Sequence, residues 1–433
     1  MNEPTVIGQR FHPGYLSQGV LREEDLYAMI ANDLFGAFSP RRADRVGVEL
    51  ELFPYHRNSA GNLAPASLRS AGDGVSLARL LETFARQHGW EWIDDPSGAI
   101  IVHRAGGGCL TLEPAGQIEY SGPALDSAAA ALDDLVAVVT LLREVAGGMG
   151  IELMSRGYSE LHAAEALPLQ VRKPRYTAMD SYFDSIGPFG RQMMRATCSL
   201  QINLDFGSPA VASDRWRLAN MIAPSLNAIF ANAPHLYNGR RYRSFRHEIW
   251  RRLDPSRTGR LYDRPDLDPV ADYLRFALDA RVMLIRMADG SLVPPEEPIT
   301  FREWMRRGGP FVPDMDAWQL HLTTLFPDVR PRGWMELRSV DALPEKWWGV
   351  PLAIATTLIY TDGLRGAALE RIENRTRLRG WMEYEHDGYW RSDFETGVEL
   401  LRLAIPSIGE PRLASLAEEY HDRFAARGLT PGG

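Results

Sequence analysis

The stretch ATCSLQINLDF, from Ala196 to Phe206, alternates strictly between apolar and polar side chains. The apolar positions are Cys198, Leu200, Ile202, Leu204 and Phe206, and the polar positions between them are Thr197, Ser199, Gln201, Asn203 and Asp205. Successive side chains of a β-strand point to opposite faces of its sheet. The stretch therefore predicts a strand that buries one face and presents a row of polar groups on the other.

Three further stretches show the same alternation and carry charged groups on the polar side. They are VGVELELF from Val46 to Phe53, GQIEYSG from Gly116 to Gly122, and GWMELRSVD from Gly333 to Asp341. The functional side chains on their polar faces are Glu49, Glu51, Gln117, Glu119, Glu336 and Arg338. Strands that are apolar on one face only suit an antiparallel or mixed sheet whose apolar side is covered by helices. The sequence thus predicts an α+β fold.

Apolar residues at three- and four-residue spacing predict the covering helices. These run near Glu23 to Phe38, Ser76 to His88, Asp126 to Ala146, Ala212 to Ala231, Trp347 to Arg371 and Arg412 to Ala426. A chain of 433 residues is long enough for two or three domains or for one large enzyme domain. We expect a single catalytic domain over residues 1–433. In it the Pro- and Gly-rich segment from Leu292 to Pro313 is a linker or an active-site loop.

Composition and charge narrow the class of protein. With 45% hydrophobic and 24% charged residues, the chain is too apolar to be disordered. A net charge of −8 gives no positive field for nucleic acid. Its apolar runs fall short of the roughly 20 residues that span a bilayer, and no secretory signal precedes them. Two cysteines, Cys109 and Cys198, fit a reducing cytoplasm. We expect a cytoplasmic protein with no nucleic-acid or membrane partner.

The acidic strand faces are the main functional signal. A single polar strand face is usually just exposed to solvent. These strands, however, concentrate carboxylates, and Glu113 lies close by in the sequence, before the Pro114 turn. If the strands are neighbours, converging carboxylates must raise one another's pKa values or bind cations. Carboxylate and amide oxygens are the ligands that Mg²⁺ or Mn²⁺ prefers, and Mg²⁺ usually brings substrate phosphates with it. Metal-dependent nucleotide chemistry is the natural inference.

Other phosphate and catalytic signals are weak. The chain has neither a P-loop pattern nor a dinucleotide-binding glycine motif, so metals and arginines would have to hold a nucleotide; all but two of its 48 basic residues are arginines. The Gly106 to Gly108 run suits a hairpin turn better than a phosphate cradle. No HExxH or GxSxG motif supports a zinc or serine hydrolase. A non-catalytic binding protein and a carboxylate-pair glycosidase remain alternatives, although neither explains the surplus of acids.

Five motifs, in order along the chain, carry a family resemblance. They are VGVELELF, TLEPAGQIEYSGP, CSLQINLDF, FRHEIWRRLDPSRTG and HLTTLFPDVRPRGWMELRSVDALP. Together they resemble the glutamate–cysteine ligase family, in the branch shared by plants and many bacteria that includes the ligases of ergothioneine synthesis. The resemblance implies a glutamine-synthetase-like fold, in which a twisted antiparallel sheet backed by helices forms an active-site funnel.

The resemblance also implies roles for individual residues. The expected metal ligands around the ATP phosphates are Glu49, Glu51, Glu113, Glu119 and Glu336. The residues expected to bind ATP or substrate are Gln117, Gln201, Asn203, Trp250 and Arg257. Arg246 and Arg338 are expected to stabilise charge during the reaction. One departure is Ala115, where the family commonly has glycine, and a positive φ there would strain the turn.

The resemblance implies an ATP-dependent ligation with ATP, L-glutamate and L-cysteine as substrates and Mg²⁺, or alternatively Mn²⁺, as cofactor. ATP would convert the γ-carboxylate of glutamate into an acyl phosphate, and the amine of cysteine would then displace phosphate. The motifs do not identify the pocket that reads the thiol. A γ-glutamyl or other carboxylate–amine ligase with a different amine acceptor therefore remains the alternative.

Overall fold

A computed structural model describes residues 21–36, 44–57, 60–70, 74–95, 99–259, 261, 268–307, 312–379 and 388–433. The strands in these residues are β1 (Val46–Arg57), β2 (Leu63–Pro65), β3 (Glu91–Asp94), β4 (Ile100–His103), β5 (Cys109–Leu112), β6 (Ile118–Ser121), β7 (Ile151–Met154), β8 (Ser199–Leu204), β9 (His235–Tyr237), β10 (Arg240–Tyr242), β11 (Ile285–Arg286), β12 (Leu292–Val293), β13 (Val329–Pro331) and β14 (Met335–Asp341). Each of the four stretches with alternating side chains contains a strand, as predicted.

The main sheet is antiparallel throughout and runs in the order β13-β14-β8-β1-β6-β5-β4-β3. The first half of β1 pairs with β6 and β8, whereas its second half pairs with β2 and β7. The four predicted strands are therefore consecutive neighbours at the centre of the sheet. This confirms the predicted α+β class and places the polar faces of β1, β6, β8 and β14 side by side.

The α-helices in the described residues are α1 (Glu23–Met29), α2 (Leu77–His88), α3 (Ala128–Gly148), α4 (Pro174–Ile186), α5 (Phe189–Ala196), α6 (Pro209–Ile229), α7 (Phe245–Leu253), α8 (Pro255–Thr258), α9 (Pro269–Asp279), α10 (Phe301–Arg307), α11 (Met315–Leu322), α12 (Gly349–Tyr360), α13 (Asp362–Arg379), α14 (Gly388–Ala404) and α15 (Pro411–Arg423). Each predicted helix matches one of them or is divided between two segments. The end of the first prediction, residues 37–38, lies outside the described residues. None of the helices described is long and apolar enough to cross a membrane.

The core lies between the apolar face of the sheet and helices α3, α6 and α12, which contact β1, β8 and β14. Leu50, Leu200 and Ile202 are fully buried there, and so are Trp216 of α6 and Trp348 beside α12. Burial of large side chains is worth roughly 1.5–3 kcal/mol each. These three helices cover the apolar face, so the opposite, polar face of the sheet remains for the site.

Two glycine-containing turns bring the strands of this sheet together. Gly106, Gly107 and Gly108 all have positive φ and join β4 to β5, which confirms the predicted hairpin turn. Between β5 and β6, Gly116 takes φ +92° while Ala115 does not have a positive φ. The departure from glycine at Ala115 therefore causes no backbone strain.

The segment from Leu292 to Pro313 is only partly irregular, because it contains β12 and α10. Phe301 of α10 is fully buried against Trp318, so this helix belongs to the packed structure. Residues 308–311 lie outside the described residues. The described residues of the segment are not among those that line the cavity below. Its assignment as an active-site loop stays a prediction.

Candidate active site

A cavity of about 430 Å³ covers the polar face of the central strands. Its floor comes from β1, β5, β6, β8, β13 and β14, and its walls come from α4, α5, α7 and the segment that follows α11. The predicted site residues among its lining are Glu49, Glu51, Glu113, Gln117, Glu119, Gln201, Arg246, Trp250 and Arg338. The alternation of the strands thus brings most of the predicted residues to one place.

One side of the cavity, the acidic wall, consists of Glu49, Glu51, Glu113 and Glu119. Glu51 of β1 lies directly opposite Glu119 of β6 in the strand register. Like charges in directly opposed positions destabilise a sheet. Within the described chain, the four carboxylates have no arginine, lysine or histidine nitrogen within 4.0 Å. The acidic wall is therefore an arrangement of negative charge without a close cationic partner.

Burial raises the pKa values of all four glutamates. Neighbouring carboxylates raise the pKa values of Glu49, Glu51 and Glu119 further, whereas Lys173 and Arg175 oppose the rise at Glu113. Burial together with the charge of Glu113 raises the pKa of Glu51 to about 7. The pKa of Glu119 is raised most by burial and next by the charge of Glu49. The pKa of Glu49 is raised most by burial and next by the charge of Glu336. Such groups take up protons or bind a cation in order to relieve the repulsion.

The polar neighbours of the acidic wall orient its oxygens. Asn203 donates from Nδ2 to Glu49 Oε1 at 2.9 Å. The Ser199 amide donates to Glu51 Oε2 at 2.7 Å, and Gln201 Nε2 donates to Glu51 Oε1 at 3.3 Å. Oxygen donors of this kind fit a hard divalent cation. In the described residues no three acidic, histidine or cysteine side chains already form a coordinating group, so a cation would draw the carboxylates together.

The other side of the cavity, the basic wall, consists of Arg330, Arg332 and Arg338 around the fully buried Glu336. Arg330 donates from Nε and Nη2 to Glu336 at 2.7 and 3.1 Å. Arg332 Nη1 and Arg338 Nη1 donate to the same carboxylate at 3.0 and 2.9 Å. Three positive charges against one negative charge leave a net charge of +2 on this wall, which suits phosphate oxygens.

These contacts distinguish Glu336 from the other glutamates. Burial by itself would raise its pKa, but the charges of Arg330, Arg338 and Arg332 outweigh burial and hold the pKa far below its usual value. Glu336 therefore stays ionised and already has its cationic partners. In this arrangement it organises the basic wall, and it would have to exchange a guanidinium for a metal in order to act as a ligand.

Arg246 and Trp250 lie one turn apart on α7, whose first turn is capped by the Ser244 hydroxyl accepting from the His247 amide. Arg246 lies over the Trp250 ring, with its guanidinium carbon 4.8 Å from the ring centroid. Trp250 Nε1 donates to the Phe326 carbonyl at 3.2 Å, which fixes the ring against the cavity wall. A planar cation held over an aromatic ring in this way suits a carboxylate of a substrate.

The remaining predicted residues, Gln117, Asn203 and Arg257, bond mainly to other parts of the protein. Gln117 lines the cavity, and its side chain accepts from the Ala115 amide and donates to the Met194 and Thr197 carbonyls, so it holds the β5–β6 turn against α5. Asn203 contacts Glu49 but is not among the lining residues.

Arg257 does not line the cavity either and is completely buried. It bonds Asp254, the Tyr182 hydroxyl and the carbonyls of Thr324 and Arg281. The Phe326 amide in turn donates to the Arg257 carbonyl at 2.9 Å. Arg257 thus fixes the segment that lines the cavity at Thr323 and Phe326, and in this arrangement its guanidinium is already fully engaged by the protein.

Lys173 and Arg175 line the cavity at the start of α4, and the sequence motifs did not point to them. Lys173 Nζ lies 5.4 Å from the centroid of the Tyr176 ring, and Arg175 Nη1 donates to the Thr323 carbonyl at 3.0 Å. Burial lowers the pKa of Lys173, although Glu113 opposes that shift. The sequence offered one sign of Lys173, because it is one of only two lysines in the chain.

The sequence pattern described as "Glutamate-cysteine ligase family 2 (GCS2)" matches residues 45–389. The chain belongs to this family. Residues 45–389 contain both walls of the cavity and all twelve predicted site residues. Membership confirms the resemblance that the five motifs indicated.

Curated relatives of this family member include the glutamate–cysteine ligase EgtA of Mycolicibacterium smegmatis, 32% identical over 75% of this chain and 80% of that protein. The chloroplastic glutamate–cysteine ligase of Brassica juncea is 30% identical over 90% of this chain and 76% of that protein. Among solved structures, the chain is similar to a bifunctional glutathione synthetase from Pasteurella multocida, with 13% identity and a TM-score of 0.42 over 95% of this chain and 49% of that one.

Proposed function

We propose that this family member joins the γ-carboxylate of L-glutamate to the amine of L-cysteine with ATP, giving γ-glutamylcysteine, ADP and phosphate. The observation that carries the proposal is a single cavity in which four carboxylates without a close cationic partner face a wall of net positive charge. Activation of a carboxylate by ATP needs cations for the triphosphate and donors for the phosphoryl group that is transferred. The acidic wall would hold the cations, and the basic wall supplies the donors.

The acidic wall would hold a divalent metal, and Mg²⁺ is the proposed ion, with Mn²⁺ as the alternative. Glu49, Glu51, Glu113 and Glu119 are the proposed ligands, because they are oxygen donors with raised pKa values and without a close cationic partner. Glu336 joins them only if Arg332 or another guanidinium gives way. When bound, the metal supplies neutralisation of phosphate charge.

The chain's own residues then divide the work. Arg330, Arg332 and Arg338 bind phosphate oxygens, and Arg338 is held for this by Gln201 and Glu336 at 3.1 and 2.9 Å. Arg246, which lies over the Trp250 ring, binds a carboxylate of glutamate. Arg338 and Arg246 stabilise the negative charge that develops when the amine attacks. These are the proposed catalytic and binding roles, with Gln117, Asn203 and Arg257 as supports.

Phosphate release from ATP tests the proposal directly. Phosphate release by the wild-type protein with ATP, Mg²⁺ and glutamate is measured with cysteine, serine, 2-aminobutyrate or histidine as the amine, and without an amine. The products are identified by mass. We expect release that depends on glutamate and favours cysteine. Release that favours another amine would change the acceptor but keep the mechanism, whereas no release with any amine would refute the ligase proposal.

A matched pair of variants assigns the acidic wall. Glu49→Gln removes one wall carboxylate and should reduce turnover by at least about a hundredfold, because charge neutralisation at a transferring phosphoryl group is lost. Glu82→Gln makes the same change on the exposed face of α2 and should leave turnover unchanged. Equal rates in the two variants would remove Glu49 from the site. A cytoplasmic location and the pathway of the product stay predictions.

A further inference from the structure

The strand β14 is irregular at the point where it crosses the site. Its register against β8 shifts between Leu337, which pairs with Ile202, and Val340, which pairs with Leu200. Two residues of β14, Arg338 and Ser339, therefore oppose the single residue Gln201. This is a β-bulge, which bends a strand and re-aims the side chains that follow it.

The bulge changes the face on which Asp341 lies. With strict alternation, Asp341 would share the apolar face with Met335 and Leu337. After the extra residue, Asp341 instead pairs with Ser199, which belongs to the polar face of β8. Asp341 is completely buried, and there it reaches Arg246, with its Oδ1 3.6 Å from Arg246 Nη1.

At the same bulge, two carbonyl groups of β14 accept hydrogen bonds from Arg246. Arg246 Nη2 donates to the Arg338 carbonyl at 2.8 Å, and Nη1 donates to the Ser339 carbonyl at 3.4 Å. Three groups of β14 thus hold Arg246: the carbonyls of Arg338 and Ser339 and the carboxylate of Asp341. A buried arginine with several fixed partners is presented to the cavity in one orientation.

Asp341 is itself rigidly placed. The Asn232 amide donates to its Oδ2 at 2.9 Å, and the Ser244 hydroxyl donates to its Oδ1 at 3.2 Å. Gly157 packs so closely that an added Cβ would lie 2.7 Å from Asp341 Cβ and Cγ. Ser244 is also the cap of α7, so the carboxylate connects the start of the Arg246 helix to the bulged strand.

We propose that Asp341, carried onto the polar face by the β14 bulge, is a positioning residue that aligns Arg246 for binding the glutamate substrate. The inference rests on the proposed function, because it takes the ligand of Arg246 to be glutamate. Asp341 contacts no substrate in this proposal. It acts by fixing the position of the Arg246 guanidinium over the Trp250 ring.

Kinetics of Asp341→Asn test the role, because asparagine keeps the shape and an acceptor oxygen but removes the charge. The KM for glutamate should rise about tenfold or more, as expected for weakening a charge-assisted contact that serves substrate binding. The KM for ATP should stay within about twofold, since the basic wall does not depend on Asp341. Asp134 lies on α3, behind the sheet, and pairs with Arg104 of the β4–β5 turn. Asp134→Asn breaks this Asp–Arg pair, so it is the control and should change neither KM.

A double-mutant cycle separates positioning from general structural support. In an Arg246→Gln background, Asp341→Asn should raise the KM for glutamate by less than about twofold, because its target is gone. If the protein is active, two results would overturn the positioning role but not the proposed function. One is an equal rise of the KM for glutamate in both backgrounds, and the other is an unchanged KM in the Asp341→Asn variant. If Asp341→Asn does not fold, Gly157→Ala displaces the carboxylate without changing charge and should give the same selective rise.

Calorimetric binding of glutamate covers the case of a wild-type protein without turnover. Glutamate that binds wild type, and binds Asp341→Asn at least about tenfold more weakly, would support the positioning role even though ligation had failed. Glutamate that binds both equally would refute the role. No binding to wild type would overturn both the role and the proposed substrate.

Discussion

Replacing Glu51 with glutamine should stabilise the cation-free protein while it disables the site. Glu51 lies opposite Glu119 in the sheet, and the negative charge of Glu113 also acts on it. Both neighbours therefore repel the ionised form of Glu51. Glutamine keeps the size of the side chain and can still accept from the Ser199 amide. The change therefore isolates the charge, which is the feature proposed to bind a metal.

The magnitude follows from the pKa of Glu51, which is raised from 4.5 to about 7. A folded-state pKa above the unfolded value means that the folded protein binds more protons between pH 4.5 and 7. The free energy of unfolding therefore falls as the pH rises through this window. A difference of about 2.5 pH units at 1.36 kcal/mol each gives at most about 3 kcal/mol. Contact with the cavity solvent reduces this to roughly 1–3 kcal/mol.

Urea unfolding with a metal chelator, at pH 5 and pH 8, measures this free energy. At pH 8, Glu51→Gln should be about 1–3 kcal/mol more stable than wild type, and at pH 5 the gap should shrink, because wild-type Glu51 is then protonated. Saturating Mg²⁺ should stabilise wild type at pH 8 and have less effect on the variant. Phosphate release by the variant should fall with the loss of the ligand.

Two results would refute this reasoning. A variant that is less stable than wild type at pH 8 would mean that the Glu51 charge is satisfied in the folded protein. Equal stabilisation of both proteins by Mg²⁺ would mean that the ion binds away from Glu51. Glu82→Gln, on an exposed helix face, controls for the loss of one negative charge from the whole chain.

Three further predictions follow from other contacts. Burial lowers the pKa of His321 to about 3, so unfolding free energy should fall by up to about 5 kcal/mol as the pH drops from 6.5 to 3, and His321→Gln should flatten that acid limb in urea titrations. Arg257→Lys should lower stability by about 2–4 kcal/mol and should not change the KM of one substrate more than that of the others. A selective change in one KM would instead make Arg257 a substrate contact. Glu336→Gln should stop ATP turnover and, unlike Glu49→Gln, also cost about 3–5 kcal/mol in unfolding experiments, because three guanidinium groups lose their carboxylate.

The sequence was most informative where local alternation decides the structure. Period-two patterns placed Glu49, Glu51 and Glu119 on one polar face, and the sheet brings those faces together. The hairpin at Gly106 to Gly108 was predicted because the three glycines lie between two extended segments, and all three take positive φ in the structure. These features depend on neighbours within a few residues, which a sequence displays directly.

Features that depend on distant contacts were not visible in the sequence. A one-residue bulge reverses the face of Asp341, and a strict alternation gives no sign of it. The pairing of Glu336 with Arg330 and Arg332 requires the turn between β13 and β14 to close. Arg257 matched a family motif, yet in the fold its side chain faces the protein interior. In each case the side chain's role is set by its surroundings in space.

In the residues that the structure describes, the main path of the sheet begins at β13 and ends at β3, and these two strands show how an edge avoids pairing with other chains. At one end, β13 has three residues and includes Pro331, which has no amide hydrogen to offer a further strand. At the other end, β3 has four residues, with the exposed acids Glu91 and Asp94 at its limits. Short edges with proline or charge are poor templates for intermolecular strand addition. Concentrated solutions of the folded chain should therefore resist aggregation through these two edges.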